Sequence, residues 1–591
     1  MEKRTLLAVV LSVMVITGGY VVQNWFYPPA PQTAQPQQVQ TVQVPVSPVV
    51  PPVVSSSVVP IAVSSAEPAP IAEERVEIKT ALVRAEFTNR GGDVVSYKLL
   101  KHKDRDDYVE MVLPSANRER AFSIALGGMG AKPLDELFHV KRISETIVEF
   151  YRDFSVPTTT GASPIYRLTK RYELKQNEYL FELSVTVDGG FATTPFDFGG
   201  VAYTLVFGPQ IGPKFEKLSS GYEYRNYYTY TNGKRKTEKV TEKGPTTLIS
   251  RVTWVSISGK YFTFLAIPDG TQYQISLSSA PVLGLPEAAH VYMTRPVQKS
   301  SKFTDTYRFY LGPKTSADLA VYDSADKNSF KLSNMGLGSV VDSSGILGPL
   351  EFAMKWCMVI FYKIIPNYGV AIILLTLLVK LLTFPLTKKA SEGTIRMQAL
   401  SPKIKEIQTK FKDNPSKMNV EMAEFYKKEG YNPMAGCLPM LIQIPIFFAM
   451  YNLFNNHFDL RGAMFIPGWI PDLSIGESVW NFAPFKIPFL GWSDLRVLPF
   501  LYVGSQLLYG MVTQTPDQQG NAQMKMMLYL MPIMFFFMLY DVPSGLLLYW
   551  IMSNVLTMIQ QLGINKYMAG KKKHAKAHSG PVIAPHRKKQ E

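Results

Sequence analysis

The stretch 368-YGVAIILLTLLVKLLTFPL-386 decides the fold. Its only charge is Lys380, and its 19 residues make roughly 28 Å of helix, enough to cross a hydrocarbon core once. Working outward, four more apolar runs follow at Leu438 to Asn455, Val497 to Val512, Met526 to Tyr540 and Ser544 to Ile564. A sixth stands at the start, where Met1-Glu2-Lys3-Arg4 precedes an uncharged run from Thr5 to Asn24 and the aromatic Trp25, Phe26 and Tyr27. That run is longer than a signal-peptide core and lacks a small-x-small end, so residues 1–27 are expected to be an uncleaved anchor.

The whole chain has 591 residues, a net charge of +15, 46% apolar residues, 42 Pro and 25 Met. These averages are ordinary, but the apolar residues crowd into residues 6–22 and 352–564, which excludes a wholly soluble enzyme and a disordered protein. The 2 cysteines, Cys357 and Cys437, fall on opposite sides of the membrane in the expected topology, so no disulfide framework is available. The 7 histidines form no HExxH, the last three sit in the basic tail, and there is no GxxxxGK[ST] loop. No metal, nucleotide or other cofactor is expected.

Loop charges set the orientation. Residues 387–434 carry ten basic and six acidic side chains, and the tail after Ile564 carries eight basic ones against Glu591. By the positive-inside rule both are cytoplasmic, whereas the loop between the third and fourth spans has few basic residues, Arg461, Lys486 and Arg496, with several acids. Six spans with both termini in the cytoplasm satisfy every loop and place residues 28–350 on the exported side. The basic loop and tail suit anionic lipid or ribosomal RNA.

Residues 28–72 are Pro, Gln, Val, Ser and Ala with hardly a charge, a tether of roughly 40 Å as a random coil, which allows the next domain to sit well clear of the membrane. Residues 73–340 alternate apolar and polar. Val76 to Lys79, Ala85 to Phe87 before a Gly91-Gly92-Asp93 turn, a hairpin from Tyr166 to Val187 around Lys175-Gln176-Asn177, Trp254 to Ile267 and Tyr307 to Leu311 predict a β-sandwich. Ser324-Ala325-Asp326-Lys327 matches the SxxK of penicillin-binding enzymes, but the chain has no KTG partner, and the match reads as chance.

Residues 341–366 are expected to form an amphipathic helix in the interface, with Glu351, Lys355, Lys363 and Tyr362 on one face. In the cytoplasmic segment 387–432, Ile404, Ile407 and Phe411, then Met418, Met422 and Phe425, fall at helical spacing on either side of Asp413-Asn414-Pro415, which predicts a helical hairpin.

The spans themselves bear on chemistry. The third to sixth contain no Asp or Glu, which counts against a proton- or cation-coupled transporter, although a channel or transporter is the alternative function. Lys380 lies about 9 Å of helix from the cytoplasmic end and admits two readings, a snorkelling side chain or the charge of a water-filled groove. Thr376 one turn away, with Gln443, Gln506, Tyr509, Asn554 and Gln560 on other spans, suits a polar interior or simple helix-to-helix bonding. The fourth and fifth spans are short, roughly 24 and 22 Å, and would thin a bilayer. Met527, Met531, Met534 and Met538 line up on the fifth, as packing filler or as an adaptable surface for apolar partners.

Several of these stretches are those of a known family. Asn367-Tyr368-Gly369 through Pro385-Leu386-Thr387, the block from Asn432-Pro433-Met434 through Gln443-Ile444-Pro445-Ile446-Phe447, and Pro543-Ser544-Gly545-Leu546 through Tyr549 to Ser553-Asn554 and Gln560-Gln561 resemble the YidC membrane protein insertases. Tyr261-Phe262 before Ile267-Pro268, and Gly312-Pro313-Lys314, resemble the exported domain of Gram-negative members. The resemblance implies a five-helix insertase core at 367–565 behind a periplasmic β-supersandwich, in the bacterial inner membrane as a multi-pass protein. It implies an insertase and chaperone, not an enzyme, that works on nascent membrane proteins alone or with the Sec translocon, with ribosome and anionic lipid as partners and no DNA. It also implies a groove with one basic residue, here Lys380 where Arg is usual, stabilised by Thr376 and Trp550 beside Gln443. Lys keeps the charge and loses the planar fork. The family's apolar exit path falls on Pro439, Leu441, Ile442, Pro445 and Phe447, with Pro532, Phe535 and Phe536 opposite.

Overall fold

A computed structural model describes residues 64–65, 71–104, 107–112, 120–156, 163–208, 224–248, 251–280, 288–342, 345–430, 438–488, 490–513 and 522–578. The expected anchor 1–27, nearly all of the tether 28–72, Cys437 and the end of the basic tail lie outside the described residues. So do the side chains of Pro439, Leu441, Ile442 and Met527.

The exported segment is all-β. Its largest sheet has ten strands, running in space from Ser64–Ser65 through Ile147–Ser155, Ile165–Glu173, Leu180–Asp188, Lys302–Pro313, Phe262–Ile267, Trp254–Ser258 and Asn226–Thr231 to Lys234–Glu238, with His139–Ser144 also on Ile147–Ser155. The predicted hairpin is there, Leu183 facing Tyr172 and Val187 facing Leu168. Alternation explains its face: Tyr166, Leu168 and Tyr172 are buried while Ile165 and Arg167 point outward. A five-stranded sheet containing Val201–Phe207 packs on it, and a four-stranded sheet starts at Arg75–Lys79. Phe207 meets Phe309 at 4.8 Å and Phe264 at 5.4 Å between ring centroids, so aromatic side chains of two sheets share one core.

The buried carboxylate of Asp93 is paired with a buried lysine. Gly91 and Gly92, at φ of 70° and 63°, make the turn that brings Asp93 inside. Lys170 Nζ donates to Asp93 Oδ1 at 2.5 Å and to the Gly91 and Phe122 carbonyls, which satisfies all three ammonium hydrogens. The Ser324 string sits in a surface turn, where Lys327 N bonds the Ser324 carbonyl and the Lys327 side chain is exposed.

The remainder is helical: α1 (Gly348–Ile364), α2 (Tyr368–Lys410), α3 (Pro415–Lys428), α4 (Leu438–Asn456), α5 (Leu498–Thr513), α6 (Ala522–Met538) and α7 (Ser544–His578). Segments 345–364, 368–393 and 544–568 are long and apolar enough to cross a membrane, and 498–512 and 529–538 are shorter apolar helices. The chain is therefore a membrane protein with a large all-β domain.

Two boundaries differ from expectation. The helix that holds the second span does not stop at Leu386; α2 is 43 residues long and runs on into the hairpin, with Pro385 and Pro402 inside it. A proline removes one ladder bond, and long flanking stretches of helix absorb that loss. The last helix also continues 14 residues past Ile564 to His578. The hairpin itself is as expected: Asn414 caps α3 through Lys417 N, and Leu400 and Ile404 pack on Met422, Phe425 and Tyr426.

The tether expectation also needs amending at its other end. The β domain touches the core through residues 458–474: Phe458 lies 5.1 Å from the His102 ring and 5.5 Å from Phe262, and Arg461 Nη1 donates to the Lys103 carbonyl. These contacts hold the domain beside the core.

Candidate functional site

The helix ladder places Lys380 in the fourth turn of α2, and the following positions on its face repeat at i+3 and i+7 as Thr383 and Thr387. An open cleft of about 320 Å³, counting the solvent space at its mouth, lies along this stripe. Its walls are Lys380, Thr383, Leu386 and Thr387 of α2, Gln443 of α4, and Thr557 and Gln560 of α7. Among these lining residues Lys380 carries the only charge, and it is half-buried.

The hydrogen bonds show what the polar wall can still do. Thr383, Thr387 and Thr557 each donate the hydroxyl hydrogen to the carbonyl four residues earlier, at 2.9, 3.1 and 2.7 Å. Their oxygens keep acceptor capacity, so the wall offers lone pairs while Lys380 offers N–H donors. Gln443 Nε2 donates to the Tyr549 hydroxyl at 3.4 Å, and Gln560 Nε2 donates to the Lys380 carbonyl at 3.1 Å. That last bond ties α7 to α2 beside the charge. Below it, Ser391 Oγ donates to Gln561 Oε1 at 2.9 Å, a second tie between the same helices.

Of the expected groove residues, Lys380 and Gln443 meet in the cavity, but Thr376 and Trp550 do not line it. Thr376 is fully buried and donates to the Ile372 carbonyl at 2.7 Å. Trp550 stacks on Phe447, with ring centroids 5.2 Å apart and planes within 5°. Both stand behind the wall, where they pack the helices that form it. Thr376 and Thr383 lie on the same side of the helix as Lys380, in opposite directions along it, and the packed core closes over only the first. Thr383, Leu386, Thr387 and Thr557 were not singled out by the sequence reading, although the i+3 and i+7 stripe was its available signal. Asn554 instead donates to Ser505 Oγ at 3.0 Å, a bond between α7 and α5.

On the expected exit path, Pro445 and its neighbours Ile444 and Phe448 are exposed, whereas Phe447 is half-buried against Trp550. On α6, Pro532 is buried and Phe535 and Phe536 are half-buried, Phe536 lying 4.8 Å from Phe500. Met531, Met534 and Met538 are exposed, with Ile533 and Phe537 beside them. Packing filler would be covered by neighbours, so this stripe is an outward apolar surface.

Comparisons with known proteins agree along most of the chain. Residues 75–342 match the YidC periplasmic domain, and residues 360–572 match the 60Kd inner membrane protein family. A membrane protein insertase YidC from Treponema denticola is 45% identical over 96% of this chain and 100% of its own. The Treponema pallidum protein of the same name is 38% identical over 97% of this chain and 100% of its own. Among solved structures, an active YidC insertase with its first transmembrane domain resolved is 17% identical at a TM-score of 0.34, covering 85% of this chain and 94% of that one. A galactose mutarotase-like protein from Lactobacillus casei covers 41% of this chain and 100% of its own, at 13% identity and a TM-score of 0.30.

Proposed function

The chain belongs to the YidC family of membrane protein insertases, and from that premise we propose that it inserts nascent membrane proteins by sheltering their hydrophilic flank in the Lys380 cavity. One observation carries the reading. A charged side chain sits in a polar cavity among membrane helices, and no carboxylate is among the lining residues to neutralise it. Keeping a charge there costs free energy, and an acidic or polar flank of a passing chain offsets part of that cost.

The geometry supports the following sequence of events. The hairpin of α2 and α3, with the basic tail, meets the nascent chain at the cytoplasmic face, next to the ribosome and anionic lipid. The flank enters beside Lys380, where threonine oxygens and glutamine amides replace some of its water. The apolar segment slides into lipid between α4 and α6, past Ile444 and Phe448 on one side and Met531, Met534 and Met538 on the other. Transfer of apolar surface, at roughly 25 cal/mol per Å², drives that step, and the membrane potential acts on charged flanks. No covalent bond is made or broken. The protein resides in the bacterial inner membrane with both termini cytoplasmic and residues 28–350 exported, and it works alone or beside the Sec translocon.

The test is insertion of a short two-span protein with an acidic exported flank into proteoliposomes, using this protein and its Lys380→Ala and Lys380→Arg forms. Loss in Ala with retention in Arg is expected. Equal activity of all three would make Lys380 a snorkelling residue, and no insertion by any, with ion flux instead, would return the channel reading.

A further inference from the structure

The loop that follows α4 meets three other parts of the protein within 20 residues. Phe458 and Arg461 grip the β domain, as above. The ring of Phe465 lies on Gly369 at the start of α2, so close that a Cβ there would collide with the ring. Asn367, the N-cap of α2, donates through Nδ2 to the Phe465 carbonyl at 3.2 Å. The Leu473 carbonyl accepts from Gly545 N at 3.0 Å, and the Ile475 carbonyl accepts from Ser544 N at 2.8 Å and Ser544 Oγ at 2.6 Å. These bonds satisfy the first free N–H groups of α7.

The loop therefore binds the exported ends of α2 and α7, the two helices that supply most of the cavity wall. It holds its own shape through Phe465 N to the Ile470 carbonyl at 3.0 Å and Leu473 N to the Ala463 carbonyl at 2.9 Å. Leu460, Ile470 and Leu473 are buried in the core with Ile372, Leu375, Leu546 and Leu547. Gly545 lets α7 approach closely, since a Cβ there would meet the Leu473 carbonyl at 3.2 Å and Ile372 at 3.3 Å. Gly369 lies eleven residues from Lys380, about 16 Å along α2. Between them the helix faces are apolar and packed, so water in the cavity meets a dry layer before it meets the exported side.

We infer that residues 457–475 are the exported-side seal of the Lys380 cavity and that Phe465, seated where Gly369 leaves room, is its positioning residue. Phe465 touches no substrate. It holds the loop against α2, and through the loop it keeps α2 and α7 together below the cavity. Filling the space at Gly369 and emptying it at Phe465 disturb the same contact from opposite sides.

The experiment rests on the groove reading above and distinguishes the failure of the two. Lys380→Cys is made in the full chain with Cys357→Ser and Cys437→Ser, and a membrane-impermeant maleimide is applied to right-side-out and inverted vesicles. The expected parent is labelled from the cytoplasmic side only. Phe465→Ala and Gly369→Ala should each raise exported-side labelling at least tenfold, and Phe465→Leu, which refills the space, should return it towards the parent. A parent that takes no label from the cytoplasmic side would overturn the groove reading. One-sided labelling that persists in both alanine variants, with the parent labelled as expected, would overturn the seal and leave the groove standing. If either variant fails to accumulate, a Gly369→Cys, Phe465→Cys pair in the chain lacking its own cysteines replaces it. Ready closure of that disulfide with 380 still shielded from the exported side supports the seal, and failure to close removes the contact on which it stands.

Discussion

Replacing Gln560 with Glu puts a negative charge opposite Lys380 without a change of side-chain shape. Both residues line the same cleft, which puts their charged ends on the order of 8 Å apart. Two unit charges about 8 Å apart at an effective dielectric of about 20 interact by about 2 kcal/mol. Gln560→Glu should therefore cancel about that much of the attraction Lys380 exerts on an acidic flank, a slowing of about 30-fold. The substitution also removes the amide donor to the Lys380 carbonyl, 3.1 Å away, so Gln560→Met serves as the control that loses the bond and adds no charge. A hydrogen bond of this kind contributes about 0.5–1.5 kcal/mol. The assay is the initial rate of insertion into proteoliposomes of two test proteins that share one apolar segment and differ only in an acidic or a neutral flank. Gln560→Glu should slow the acidic substrate about 30-fold and the neutral one by less than about threefold, while Gln560→Met slows both slightly and alike. Equal losses for the two substrates in Gln560→Glu, or no difference between Glu and Met, would refute an electrostatic role for the cavity.

Other outcomes follow from the same structure. Lys170→Met leaves Asp93 buried with Arg120 as its remaining ion partner, and should destabilise the β domain by about 3–5 kcal/mol, seen as a lower midpoint in thermal unfolding of the intact protein. Burial pushes the Asp342 carboxyl up, but Lys314 and the hydrogen bonds from Arg235 and Tyr224 outweigh this and hold it below the usual carboxylate range. A depressed carboxyl contributes stability that is present above its unfolded value, about 3.9, and lost as pH falls through the folded one. Hydrogen exchange at residues 224–235 should then rise below about pH 4, and Asp342→Asn should flatten that dependence. A photo-crosslinker at the exposed Met534 should capture the apolar segment of an inserting chain, whereas one at the buried Met450 should not; equal capture would remove the exit path from this face. Asn414→Ala should cost the hairpin about 1 kcal/mol through loss of the cap on α3, read as faster exchange at residues 415–419.

Much of the architecture was legible because it follows from local rules. A run of apolar residues long enough to span a bilayer is a helix wherever it lies, since no other backbone arrangement satisfies its own hydrogen bonds in lipid. Alternation likewise sets which face of the Ile165–Glu173 strand is covered. Asp413-Asn414-Pro415 marked the break between α2 and α3 because Asn caps and Pro starts a helix. The end of the second span was less legible, because a proline at 385 punctuates a sequence without having to end a long helix.

The site divided along the same line. Composition and spacing were sufficient to single out Lys380, the polar positions near it and the absence of acids from the later spans, since charge in lipid is costly wherever it occurs. Periodicity could not say which of Thr376 and Thr383 faces the cavity, because both share the Lys380 face and only the packing of other helices covers one of them. The outward face of the methionine stripe, the bond from Gln560 to the Lys380 carbonyl, and the seating of Phe465 on Gly369 each depend on contacts between residues 96 or more positions apart, or on the lack of a neighbour. Local sequence determines which segments cross the membrane and which residues carry the charge; which of those residues meet, and what seals the space between them, is decided by tertiary packing, because close contact depends on every surrounding helix at once.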